Sequence, residues 1–158
     1  MTVHAVASQL IQAAPELVRS LFEDYRRWPE LFAAKIRSTR LIRENDTTKA
    51  IEVDHATAGH VLNLLTVVSA HEIRLEVFKP HYDARFTNRF EDDAGGTRFT
   101  VIADVQLKGL LRVFTPIARA VVRRRIAKFV LRPMKAMAEA AERGRGLAIR
   151  SGASLSPT

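Results

Sequence analysis

At 158 residues, with 47% hydrophobic and 27% charged residues, the chain is long enough to bury one sizeable core and too apolar to be wholly disordered. It has no cysteine, which excludes disulfides and thiolate chemistry, and no apolar run near the roughly 20 residues of a membrane span. Its net charge of +8 is confined to one end: residues 1–107 hold 13 basic and 15 acidic residues (−2), whereas residues 108–158 hold 12 basic and only 2 acidic (+10).

The opening stretch MTVHAVASQL lacks a basic segment ahead of an apolar one, so no secretory signal is read and a cytoplasmic protein is expected. Residues 2–11 alternate as a β-strand. Pro15 then suits the first turn of a helix, where its missing N–H costs nothing, and Glu16 faces the positive end of the helix dipole. Leu17, Val18, Leu21, Phe22 and Tyr25 form the apolar stripe of that helix. Trp28-Pro29 ends it, and a second short helix begins at Pro29.

From Ile36 the apolar period changes from 3.6 to 2. Strands are predicted at 36–44, 48–57, 60–69, 72–79, 82–91 and 97–107, joined by short turn-forming links, which together make an antiparallel meander. A two-residue turn at Ala58-Gly59 pairs His55 with Leu62, Val53 with Leu64 and Ile51 with Thr66. A tight turn near Ala70-His71 then pairs Val68 with Ile73, Thr66 with Leu75 and Leu64 with Val77. Continuing, Val77 meets Ala84, Leu75 meets Phe86 and Ile73 meets Asn88. This register keeps one face apolar through four strands, and Phe99, Val101, Ala103, Val105 and Leu107 extend it.

From Lys108 to about Gly144 an amphipathic helix is predicted, with bends at Pro116 and Pro133. Its stripe runs through Leu110, Phe114, Ile117, Val121, Ile126, Phe129, Val130, Met134, Met137 and Ala141. One domain over 1–144 and a frayed tail over 145–158 are expected. The fold class is α+β, with a curved sheet of about seven strands that supplies the surface on which the long helix lies.

The segments IQAAPELVRSLFEDYRRWPELF, HATAGHV, FEDDAGGTRFTV and LKGLLRVFTPIARAVVRRRIAKFVLRPMKAMAE stand in this order. Over about residues 3–143 the chain resembles the polyketide cyclase/dehydrase branch of the START-like (helix-grip) superfamily. The resemblance implies an elongated apolar cavity between sheet and C-terminal helix, and a function as a polyketide cyclase/aromatase-like enzyme or as a lipid or quinone carrier. Trp28 and Phe32 match the aromatic segment that follows the first helix in that branch. Leu62 stands about where the resemblance implies an arginine, so a cation that would polarise a poly-β-ketone carbonyl is absent from that position.

The cavity is expected to be lined by Trp28, Phe32, Leu62, Leu64, Thr66, Leu75, Phe86, Phe90, Val101 and Ala103, with Phe114, Ala118 and Val121 from the helix. Its polar candidates for proton transfer are His55, Tyr82 and Asn88. Each has a plainer reading: a histidine bonded to backbone at the core edge, a tyrosine packing its ring, and a satisfied structural amide. Thr66 also reads simply as a good strand former. Arg123, Arg124, Arg125, Lys128 and Arg132 form a basic face. It is either a solvated surface, a dock for an acidic partner such as an acyl carrier protein, or a contact for anionic lipid; nucleic acid ranks last. No metal-ligand spacing or cofactor motif occurs, and none is expected to be needed.

Overall fold

Strict alternation of apolar and polar residues builds the sheet that organises the molecule. A computed structural model describes residues 2–152, with side chains through Arg150. The strands are β1 (Thr2–Ile11), β2 (Ile36–Glu44), β3 (Thr48–His55), β4 (Gly59–Ser69), β5 (Glu72–Phe78), β6 (Tyr82–Asp93) and β7 (Gly96–Leu107). All neighbours are antiparallel, in the order β1-β7-β6-β5-β4-β3-β2. Between β1 and β2 lie α1 (Pro15–Glu23), a short 3-10 turn and α2 (Trp28–Leu31); Pro15 and Pro29 occupy first-turn positions as the sequence suggests.

The sheet curls around an aromatic core. Phe90 and Phe99, directly paired across β6 and β7, stack at 5.0 Å with their planes 6° apart. Phe22 packs against both, at 5.9 and 6.0 Å, and Trp28 donates its indole N–H to the Phe22 carbonyl at 2.8 Å. Gly96 has a packing reason to be glycine: a Cβ there would lie 2.7 Å from the Ile11 carbonyl oxygen.

The register of β4 departs from the expected one. His55 pairs with Gly59, Val53 with Val61 and Ile51 with Asn63, a shift of three residues. The β3–β4 loop holds three residues, Ala56 to Ala58, and Gly59 follows at φ +69°, the left-handed residue that closes such a loop. An odd shift turns a strand over. Val61, Asn63 and Leu65 therefore face the core, while Leu62, Leu64 and Thr66 lie on the outer face, where Leu62 is 39% exposed. The β4–β5 turn has the expected tip, with Ser69 opposite Glu72, but a bulge at Val68 shifts the pairing by one, so that Val67 meets Ile73. Both shifts are odd, so β5 returns to its expected face, and β5–β6 pairs as expected: Val77 with Ala84, Leu75 with Phe86, Ile73 with Asn88.

The C-terminal helix is interrupted. A 3-10 turn (Gly109–Phe114) leads into α3 (Thr115–Ile126), then a π-helical turn (Ala127–Leu131), then α4 (Arg132–Gly152). Pro133 has no N–H to offer the carbonyl four residues back, at Phe129, which suits the wider turn just before it. The π turn re-aims the helix. From its last residue onward Leu131, Met134 and Ala138 are buried; before it the inward line is Ala118, Val122 and Ile126, packed near β1, whose small Ala5 and Ala7 leave room. The other half of the expected stripe faces out: Leu110 is 88% exposed, with Phe114, Ile117 and Val121 exposed beside it. Helix α4 continues to Gly152 and does not end near Gly144; residues 153–158 of the expected tail lie outside the described residues. Glu139 fastens α4 to the sheet, accepting from the Gln12 backbone N–H at 2.9 Å and from Lys135, which also donates to the Leu10 carbonyl at 3.2 Å.

Candidate functional site

A cavity of about 180 Å³ opens between the concave side of β3–β7, α2 and the π turn. Allowing about 10–15 Å³ per water, this is room for a small organic molecule of ten or more heavy atoms. Its walls are mainly apolar: Trp28, Phe32, Leu75, Phe86 and Val101, all foreseen from the sequence, are joined by Phe22, Ile36, Val53, Val61, Val77, Phe129 and Val130. His55, Tyr82 and Asn88 line the same space. Phe90 and Ala103 do not; both are fully buried in the core behind it. Leu62, Leu64 and Thr66 are on the opposite face of the sheet, with Thr66 Oγ1 3.1 Å from Thr48 Oγ1. Phe114 and Val121 point to solvent, and Ala118 packs in the core.

Two amides sit in the apolar wall. Asn88 is 1% exposed, and its Nδ2 donates to the Ile73 and Phe86 carbonyls at 3.2 and 3.3 Å. That fixes the amide, and among the described residues nothing donates to its Oδ1. Asn63, turned inward by the β4 register, is 7% exposed, and its buried Oδ1 also lacks a donor. A buried acceptor left unpaired costs about 1–3 kcal/mol, so Asn63 suits a ligand that brings a hydroxyl or N–H.

The mouth is cationic. Lys35 follows α2, Lys79 sits in the β5–β6 turn, His55 ends β3, and all three line the cavity. Lys79 Nζ lies 3.4 Å from His55 Nε2. The Thr57 backbone N–H donates to Nδ1 at 3.4 Å and Thr57 Oγ1 lies 3.2 Å from the same nitrogen, so both ring nitrogens face donors. Burial lowers the His55 pKa to about 4, helped by the charges of Lys79, Lys35 and Arg125 and opposed by Asp54. The ring is therefore neutral at pH 7. Burial, then Arg125, Lys79 and Lys128, lower the Lys35 pKa as well. The charges of Arg125 and Lys128 thus act on the mouth, although like Arg123, Arg124 and Arg132 both side chains are exposed on the helix. Tyr82 is half-buried under the Lys79 ammonium, 5.1 Å from the ring centroid. Among the described residues no cluster of His, Asp and Glu could hold a metal ion.

Sequence reasoning missed Asn63 because a three-residue loop was read as a two-residue one. It missed Lys35 and Lys79 because lysines beside turns read as solvated. Their bracketing of the β3 end and the β5–β6 turn, both at one edge of an antiparallel meander, is the signal that could have found them.

A curved antiparallel sheet closed by a C-terminal helix, with a cavity between them, defines a helix-grip protein of the START-like superfamily. The chain belongs to the family described as polyketide cyclase/dehydrase and lipid transport, which matches residues 2–139. No match was found among curated protein sequences. Among solved structures the chain is similar to the di-domain aromatase/cyclase StfQ from the steffimycin biosynthetic pathway, with a TM-score of 0.74 and 15% identity over 89% of this chain and 52% of that one. It thus spans about half of that protein. It is also similar to the Zhui aromatase/cyclase from Streptomyces sp. R1128 (TM-score 0.72, 13% identity, 88% of this chain and 94% of that one). A START superfamily protein from Mycobacterium smegmatis matches at a TM-score of 0.65 and 11% identity, over 87% and 98%. At these identities the likeness is one of fold.

Proposed function

We propose that the chain binds one small hydrophobic or polycyclic molecule between sheet and helix, and carries it. The supporting observation is the cavity itself: an apolar chamber of about 180 Å³ whose wall holds a buried amide oxygen, Asn63 Oδ1, without a donor. A cyclase-like action on a polyketide is the second reading, favoured by the family description and by His55, Tyr82 and Asn88 sharing the cavity. Carriage comes first because a histidine with a pKa of about 4 accepts a proton poorly at neutral pH, and because Asn88 has spent its N–H groups on backbone. Organic extraction of the purified protein followed by mass spectrometry tests the reading. One hydrophobic compound should be recovered from the wild type and not from Val61→Phe, whose added ring fills the chamber. Identical extracts from the two would count against it.

A delivery surface accompanies this reading. Leu110, Val113, Phe114 and Ile117 are 55–88% exposed, and they stand among Arg112, Arg119, Arg123 and Arg124. No acidic residue occurs between Asp104 and Glu139. Apolar side chains flanked by arginine fit an anionic bilayer better than an acyl carrier protein, since headgroups attract the cations and acyl chains take the apolar groups. Among the described residues no helix is long and apolar enough to cross a membrane, so such contact would be peripheral. Phe114→Ser/Ile117→Ser should weaken sedimentation with phosphatidylglycerol vesicles by roughly tenfold without changing thermal stability, at about 0.8 kcal/mol per methylene withdrawn from lipid. Undiminished binding, or a dock on acyl carrier protein that survives these changes, would remove this surface from the account.

A further inference from the structure

Many charges on the outer face of the sheet are paired. Arg40 meets Glu52 and Arg85 meets Glu76, each at 3.1 Å; Arg89 meets Glu72 at 3.2 Å, and Arg98 meets Asp93 and Lys108 meets Asp83 at 2.7 Å. The cavity mouth breaks that pattern. Lys35, Lys79, Arg125 and Lys128 come to it from the α2–β2 link, the β5–β6 turn, the end of α3 and the π turn, and among the described residues none of them is in an ion pair. Asp54 is the one carboxylate whose field registers at His55, and its effect is the weakest there.

Two of these cations, Lys35 and Lys79, are not splayed into water. The Lys35 ammonium lies 4.2 Å from the Phe129 ring centroid and the Lys79 ammonium 5.1 Å from that of Tyr82, and Phe129 and Tyr82 both line the cavity. Aromatic faces and the neutral imidazole of His55 hold the two lysines at the lip, half-buried and mutually repelling. Gathering like charges against an apolar chamber is unfavourable unless something of opposite sign joins them, and no side chain does. A neutral ligand would leave that cost in place; a cationic one would add to it.

We infer that the mouth is an anion site, and that the ligand is an amphiphile whose apolar body fills the chamber while a carboxylate or similar monoanionic head sits between Lys35 and Lys79. The inference deepens the proposed binding function and rests on it. It also assigns a role to cations that the expected arginine position, occupied by Leu62 on the outer face, does not supply.

Matched ten-carbon probes separate head from body. Decanoate, decanol and decylammonium are titrated calorimetrically into the whole chain at pH 7.5 and low salt, below their aggregation concentrations. Decanoate should bind roughly tenfold more tightly than decanol, with decylammonium weakest, as expected for about 1.4 kcal/mol from two partly exposed charges. Lys35→Gln/Lys79→Gln should bring decanoate to within about twofold of decanol while decanol binding stays unchanged. Each single change should cost about threefold, a readout that serves if the double variant is unstable. Decanol binding as tightly as decanoate, or a preference that survives both substitutions, would overturn the anion site while leaving the cavity reading intact. Failure of all three probes to bind would overturn both.

Discussion

The two halves of the C-terminal helix share one apolar stripe and bury it differently. From the last residue of the π turn onward, Leu131, Met134 and Ala138 are at most 2% exposed against the sheet; before the turn, Leu110 and Phe114 are 88% and 55% exposed among arginines. Apolar periodicity is continuous across both. The lesson is that a pattern locates a hydrophobic face but does not say what covers it: the sheet covers the second half and the Ala118–Ile126 line of the first, while Leu110 and Phe114 stay exposed.

Three substitutions would break or sharpen that contrast. The largest effect is expected from Met134→Ala, which removes a fully buried side chain from the helix–sheet interface and should cost about 2–5 kcal/mol in urea unfolding. A cost below about 1 kcal/mol would mean that the second half is not gripped as described. An intermediate effect is expected at the mouth, where the helix reaches the cavity through Arg125. An unfolded chain protonates His55 below about pH 6.5 and the folded chain only near pH 4, so the unfolded state binds more protons in that window and stability falls as pH falls. The full shift is worth about 3 kcal/mol, which solvent screening at a partly exposed ring reduces to about 1–2 kcal/mol. His55→Gln should flatten that part of the stability–pH curve, and an unchanged curve would remove the histidine from the cationic cluster. The smallest effect is expected from Phe114→Ala, within about 0.5 kcal/mol of wild type. A large loss there would show that the exposed half is in fact packed.

Much of this was legible in the sequence. Strict alternation placed seven strands within a few residues of their ends, and Pro15 and Pro29 marked the helix starts, because these signals are local. Where a feature depended on counting across a loop, the reading failed. A β3–β4 loop at Ala56–Ala58 in place of a two-residue turn at Ala58-Gly59 put Leu62, Leu64 and Thr66 outside and Asn63 inside, and the bulge at Val68 then returned β5 to its expected face; the strand's own alternation of apolar residues fits either face. The cavity's aromatic wall was foreseen through Trp28, Phe32 and Phe86, large residues on correctly registered elements. Lys35 and Lys79 were not, because their meeting is set by the closure of the sheet and by no spacing along the chain.

The central claim is that the chamber between sheet and helix takes up a small apolar body. Calorimetric titration of decanol into the wild type and Val61→Phe tests it most directly. One equivalent should bind to the wild type, with none to the filled variant, which should remain folded by circular dichroism. Equal binding by the two proteins would contradict the account, since the probe would then sit somewhere other than this cavity.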